Sequence, residues 1–286
     1  MHIAATASRA TTLLTKNPGL FCRVLLAKIN TARRMPPLPV LKRIDDVVFE
    51  FDMAPYRGTA PMYFGSYAVP IVETMKRILR RGDVFFDIGA NIGYLSAIGA
   101  SLVGRQGEVH CFEPVREYFE RLQRLAELNP EYAITANDSG AGEAPGNCTV
   151  YVTREPGQNT MVPAYKSGPE IVSTQDVRVV RLDSYMEQHG VERVRLIKID
   201  AEGFELPILK GLENFFRRGA WRPEVICEIA PRAYPLMGRR VSELAEYMGD
   251  YGYTARDLLD GKTPVDLLAM RRVDDVLFSA GGTTHE

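Results

Sequence analysis

The chain has 286 residues, of which 45% are hydrophobic and 25% charged, and a formal net charge of -1. That length allows one large domain or one and a half, and the apolar share supplies a sizeable core. A balance this close to neutral excludes a nucleic-acid partner held by bulk electrostatics, and no run of about 18 apolar residues exists to span a membrane. The four cysteines, Cys22, Cys111, Cys148 and Cys227, lack metal-ligand spacing. They read as small buried hydrophobes in a reducing, cytoplasmic compartment.

Met1 to Leu41 carry no acid, whereas Arg9, Lys16, Arg23, Lys28, Arg33 and Arg34 are basic. A transit peptide, an interfacial amphipathic helix and a basic helix docked on the domain all fit this composition. The plainest reading is a basic extension over 1–45, closed by the Pro-rich stretch Met35 to Pro39 and able to touch a membrane surface. Residues 46–80 read as a lead-in or lid. Val47 to Phe51 form a strand, and Val69 to Leu79 form a helix with Ile71, Met75, Ile78 and Leu79 on one face. Arg81-Gly82-Asp83 ends that helix.

The first core strand follows, Val84 to Asp87, then the turn Ile88-Gly89-Ala90-Asn91-Ile92-Gly93 and a helix from Tyr94. Strand, glycine turn and helix open a doubly wound α/β domain, whose ligands sit beyond the carboxyl ends of the strands. A dinucleotide turn wants Gly-x-Gly-x-x-Gly, but here the order is Gly89-x-Asn91-x-Gly93. Asp87, aimed at a ligand, repels a pyrophosphate and suits an ammonium or sulfonium group. A second strand, Glu108 to Phe112, ends at Glu113, 24 residues past Gly89, where an acid is placed to accept both ribose hydroxyls. Cation at the turn and ribose at the second strand fit S-adenosylmethionine better than a nicotinamide cofactor.

Val115 to Leu128 is an amphipathic helix stopped by Asn129-Pro130. Ala133 to Ala136 forms a third strand, after which Asp138 either accepts a hydrogen bond from an adenine amine or belongs to an ordinary Asn-Asp-Ser-Gly turn. Residues 141–176 are the least regular part and read as an insertion shaping an acceptor pocket, with Gln158, Asn159, Thr160 and Met161 as contacts. Val177 to Leu182 alternates as a half-exposed strand before a helix from Asp183 to His189. The strand Val194 to Ile199 ends in Asp200-Ala201-Glu202-Gly203, and a helix runs from Phe204 to Phe216. Glu224 to Ile229 places Glu228 near another carboxyl end. The helix Val241 to Tyr251 and the strands at Tyr253-Thr254 and Asp275 to Ser279 close the chain. About seven strands thus alternate with helices in one domain over 81–286.

Phe86 to Tyr94, Glu113-Pro114, Leu182-Asp183, Ile197-Lys198-Ile199-Asp200-Ala201-Glu202-Gly203 and Lys210-Gly211 together resemble the FkbM family of methyltransferases, over about residues 45–280. The resemblance implies a class I methyltransferase fold, that is, a Rossmann-like, mostly parallel seven-stranded sheet with helices on both faces. It implies methyl transfer from S-adenosyl-L-methionine, usually to a hydroxyl of a sugar or polyketide-like product. Gly89, Asn91 and Gly93 would then hold the methionine part of the donor and Glu113 its ribose. The Gly/Pro segment 139–147 departs from the pattern and leaves Asp138 the least secure carry-over.

A hydroxyl acceptor must lose its proton during attack, so a base or a metal belongs beside it. His2 and His285 are terminal, and the internal His110 and His189 read as structural. Asp200, Glu202 and Glu228 are better placed, at neighbouring strand ends, as base or acceptor-orienting groups. Two of them holding a divalent cation, or capping the following helix, remain alternatives. The partners expected are a small-molecule or glycan acceptor; the oligomeric state is left open. A nicotinamide-dependent oxidoreductase and a non-catalytic donor-binding module are the rival functions.

Overall fold

The computed structural model describes residues 40–51, 59–155, 157–166, 168–219 and 221–280. The basic stretch, Cys22 and the Pro-rich linker therefore lie outside the described residues. Strands β1 (Val40–Ile44) and β2 (Val47–Phe51) form a hairpin, with Val40 opposite Phe51. Val47, Phe49 and Phe51 are at most 2% exposed, the every-other-residue burial of a strand with one face on the core. Asn129 clips the hairpin down: its Oδ1 accepts the Val48 N–H at 2.7 Å and its Nδ2 donates to the Val48 carbonyl at 2.8 Å.

After the short helix α1 (Ala60–Tyr63), helix α2 (Val69–Ile78) adds Ile71, Met75 and Ile78 to the same cluster. β2 and α2 thus both pack in the core cluster. The boundary expected at residue 45 falls inside the turn of the β1–β2 hairpin.

The next elements are β3 (Val84–Ile88), α3 (Tyr94–Val103), β4 (Glu108–Phe112), α4 (Arg116–Leu128) and β5 (Ala133–Asn137). Later come α5 (Leu182–His189), β9 (Leu196–Ile199), α6 (Glu205–Lys210), α7 (Glu213–Arg218) and β10 (Glu224–Ile229), then α8 (Val241–Asp250), β11 (Tyr253–Asp257) and β12 (Asp274–Ala280). Seven strands form one sheet in the order β11-β12-β10-β9-β3-β4-β5. Neighbours from β10 to β5 are parallel, and β12 runs antiparallel to both β10 and β11. This is the doubly wound, mostly parallel sheet that the sequence predicts.

Consecutive residues of β3 serve opposite faces. Phe85 packs in the cluster with α2 and α3, and Phe86 in the cluster with Leu182, Leu206 and Leu209. Burying each ring is worth about 1.5–3 kcal/mol, and an apolar run buried on both sides is what a central parallel strand requires. From β3 the chain winds outward through β4 and β5, then returns to β9 on the other side of β3. The carboxyl ends of β3 and β9 therefore flank the switch point, where such sheets leave a crevice.

Two expectations are corrected. Residues 141–176 hold three strands as well as irregular loops: β6 (Gly140–Ala141), β7 (Gly146–Thr153) and β8 (Ile171–Val180) make a separate three-stranded sheet. β8 begins six residues before Val177 because its mostly exposed first half, Ile171 to Gln175, is held by pairing with β7 rather than by burial. The helix expected from Phe204 to Phe216 breaks into α6 and α7. Gly211 lies where a side chain would meet the Gly142 carbonyl at 2.3 Å. Its own carbonyl accepts the Asp183 N–H at 3.0 Å.

Candidate active site

A cleft open to solvent lies at the switch point, where sheets of this winding bind their ligands. Its first wall is the glycine turn. Gly89 has φ +73°, and a Cβ there would stand 1.8 Å from the Asp200 carbonyl oxygen. Gly93, at φ +83°, would press on Leu122 at 2.7 Å. Asn91 also has positive φ, +52°, which asparagine tolerates better than most residues.

Glu113 locks this wall. Its Oε2 accepts the Asn91 N–H at 2.8 Å and its Oε1 accepts the Val115 N–H at 2.9 Å. Burial pushes its carboxyl up to about 7 against these two hydrogen bonds. Each oxygen keeps capacity for a second bond, and Glu113 lines the cleft together with Gly89, Asn91, Ile92 and Pro114.

Asp87 does not line the cleft. It is fully buried, with Ser96 Oγ donating to its Oδ2 at 2.6 Å and Lys198 Nζ 3.6 Å from its Oδ1. Its carboxyl is shifted up by burial, opposed by Lys198. The cation that the structure places beside Asp87 is this lysine. Lys198 lines the cleft, 3% exposed, 3.3 Å from Asp200 Oδ2 and donating to the Gly89 carbonyl at 3.3 Å. Burial lowers its affinity for the proton, but Asp200 and Asp87 outweigh that and the ammonium is retained. Sequence reasoning passed over Lys198. The signal was available: a lysine between Ile197 and Ile199 in a buried strand needs carboxylate partners.

The second wall carries the acids. Asp200 and Glu202 line the cleft, and an oxygen from each of Asp200, Glu202 and Glu228 lies within 4.8 Å of the others. The structure thus brings together the three residues singled out as catalytic. Glu228 stands behind the other two, with Oε2 buried and taking no hydrogen bond. Burial and its neighbours Asp200 and Glu202 hold its carboxyl well above the usual range. Glu202 is raised by burial, while Lys166 at 3.1 Å from its Oε2 acts in the opposite direction.

Glu202 takes φ +48° and Gly203 φ +104°, a strained turn held from two sides. Thr160 Oγ1 donates to the Glu202 carbonyl at 2.8 Å, and Glu205 Oε1 accepts the Gly203 N–H at 2.7 Å. Glu205, also unforeseen, is fully buried and pushed up to about 8 by that burial. It, rather than Asp200 or Glu202, binds the free N–H ahead of α6, whose N-cap residue Phe204 supplies no side-chain bond. Three carboxylate oxygens so close match part of the ligand set of a hard divalent ion. Lys198 and Lys166, however, already give Asp200 and Glu202 the positive charge such an ion would bring.

Of the insertion residues expected at the acceptor, Asn159, Thr160 and Met161 line the cleft. Gln158 instead accepts from Lys166 Nζ at 3.2 Å. Asp138 lies on an exposed turn, 3.9 Å from Arg116, and the cleft there is lined by Gly140 and Ala141. The longer 139–147 segment carries β6 inward and leaves Asp138 outside. His110 is buried among Tyr185 and Glu108, and His189 stacks on Tyr185, both away from the cleft. Among the described residues, no helix is long and apolar enough to cross a membrane.

A family model described as the methyltransferase FkbM domain matches residues 87–255. Methyltransferase 1 of Beauveria bassiana is 28% identical over 62% of this chain and 70% of its own length. Hexuronic acid methyltransferase AglP of Haloferax volcanii is 29% identical over 50% of this chain and 56% of its own length. A solved FkbM methyltransferase from Methylobacillus flagellatus superposes with a TM-score of 0.42 at 18% identity, over 90% of this chain and 58% of that one. The family match covers the glycine turn, Glu113 and all three clustered acids, and the chain belongs to the FkbM family of S-adenosylmethionine-dependent methyltransferases.

Proposed function

We propose that the protein transfers the methyl group of S-adenosyl-L-methionine to a hydroxyl of a sugar, glycan or secondary metabolite. The observation that carries this reading is the pairing of two unlike walls across one cleft: a glycine turn locked by Glu113, and the carboxylates Asp200 and Glu202 past the end of β9, with Glu228 of β10 against them. The turn and Glu113 bind the methionine and ribose parts of the donor. Asp200, carrying the Lys198 ammonium, accepts the acceptor's proton as the oxygen–methyl bond forms and the sulfur–methyl electron pair returns to sulfur. Glu202 and Glu228 orient the acceptor hydroxyl, and Asn159, Thr160 and Met161 shape its pocket.

The acceptor class is supported by the name of the Haloferax relative, which acts on a hexuronic acid. Membership in a methyltransferase family displaces the nicotinamide-dependent alternative. Two measurements test the proposal: calorimetric titration with S-adenosylhomocysteine, and a panel of hexuronosides and hydroxylated metabolites scored for donor consumption. Donor uptake and turnover of a hydroxyl acceptor are expected. Absence of donor uptake would sink it.

A further inference from the structure

Lys198 lies on β9 between Ile197 and Ile199, opposite Asp87 in the β3–β9 register. A buried ion pair of this kind stabilises a fold no better than well-packed apolar residues. What distinguishes the position is its surroundings. Three oxygens surround the ammonium: the Gly89 carbonyl, which accepts a hydrogen bond at 3.3 Å, Asp200 Oδ2 in an ion pair at 3.3 Å, and Asp87 Oδ1 in a looser ion pair at 3.6 Å. One of these belongs to the glycine turn, one lies beneath it, and one is the acid at the acceptor side. Lys198 also forms part of the cleft surface.

Among the described residues, Lys198 is the cation in an ion pair with Asp200, while Lys166 is committed to Glu202. An opposite charge at such a distance favours the charged form of a carboxylate.

We propose that Lys198 is a positioning residue for methyl transfer: its buried ammonium keeps the Asp200 carboxylate charged and fixed in orientation, and ties it to the turn that binds the donor. This rests on Asp200 being the proton acceptor. It also accounts for Asp87, the acid of the glycine motif, which anchors the lysine instead of meeting the ligand.

The test reads Asp200 directly. Protein labelled with ¹³C at the aspartate carboxyl carbon is titrated by NMR, and the Asp200 signal is assigned by its loss in Asp200→Asn. In Lys198→Met the Asp200 signal should move with pH at least about one pH unit higher than in the wild type, the size of effect expected on losing an adjacent opposite charge. Lys198→Arg should restore the wild-type titration. If Lys198→Met does not fold because Asp87 is left without a partner, Asp87→Asn/Lys198→Met removes both members and gives the same readout. An unmoved Asp200 signal in any folded variant lacking the ammonium overturns the inference. S-adenosylhomocysteine binding to the wild type is measured in parallel. Its absence would overturn the donor reading, and the Asp200 titration would still decide the role of Lys198.

Discussion

The wall of the cleft beside β3 and β4 is made of backbone, and the wall beside β9 and β10 is made of charge. On the first, a buried carboxylate spends both oxygens on the N–H groups of Asn91 and Val115, fixing a turn whose shape glycine alone permits at residue 89. On the second, Asp200, Glu202 and Glu228 crowd within 4.8 Å and are balanced by lysines from β9 and from the insertion. In the proposed reaction the backbone cradle recognises a shape common to every turnover, and the cluster of acids and ammonium groups sets where a proton rests, so the second wall is the side where chemistry can be tuned.

The largest effect should separate the two walls cleanly. Asp200→Asn should lower turnover by about 10²–10⁴-fold, the range for a lost general base, with S-adenosylhomocysteine affinity nearly unchanged by calorimetry. A parallel loss of donor affinity would mean that the walls are not independent. Gly89→Ala should do the reverse. The added methyl would stand 1.8 Å from the Asp200 carbonyl, so a stability loss of more than about 2 kcal/mol by chemical denaturation is expected, along with weakened donor binding.

The pH dependence of folding sharpens the same contrast. Glu113 is pushed up to about 7 and Glu205 to about 8 by burial, against about 4.3 for a glutamate in the unfolded chain. Between those values the folded chain holds protons that the unfolded chain has released. The contribution of both groups is therefore fully favourable below the unfolded value and declines as pH rises through 7 and 8. Thermal melting should show a lower Tm at pH 8.5 than at pH 6, and Glu205→Gln should flatten the slope. A Tm that rises over this interval would contradict the assignment.

The smallest effect is expected at the edge of the first wall. Asp138→Ala removes an exposed pair with Arg116, worth about 0–1 kcal/mol at most. Donor affinity should stay within about twofold of the wild type. A tenfold loss would return Asp138 to the adenine role that the third strand's position implied.

Local pattern determined the order of strands and helices, the glycine turn, Glu113 and the three acids at strand ends. Each is set by neighbours a few residues away: apolar runs, helix stops and an acid just past a strand. Only the tertiary structure decided which acids face the cleft and which are used up inside it. Asp87 and Lys198 lie 111 residues apart in sequence and opposite one another in the sheet, a pairing that no local periodicity encodes. The same holds for Asp138, displaced outward by β6, and for Glu205, which captures the Gly203 N–H. Backbone turns answer to local sterics, whereas the partner of a buried charge is chosen by whichever strand the fold lays beside it.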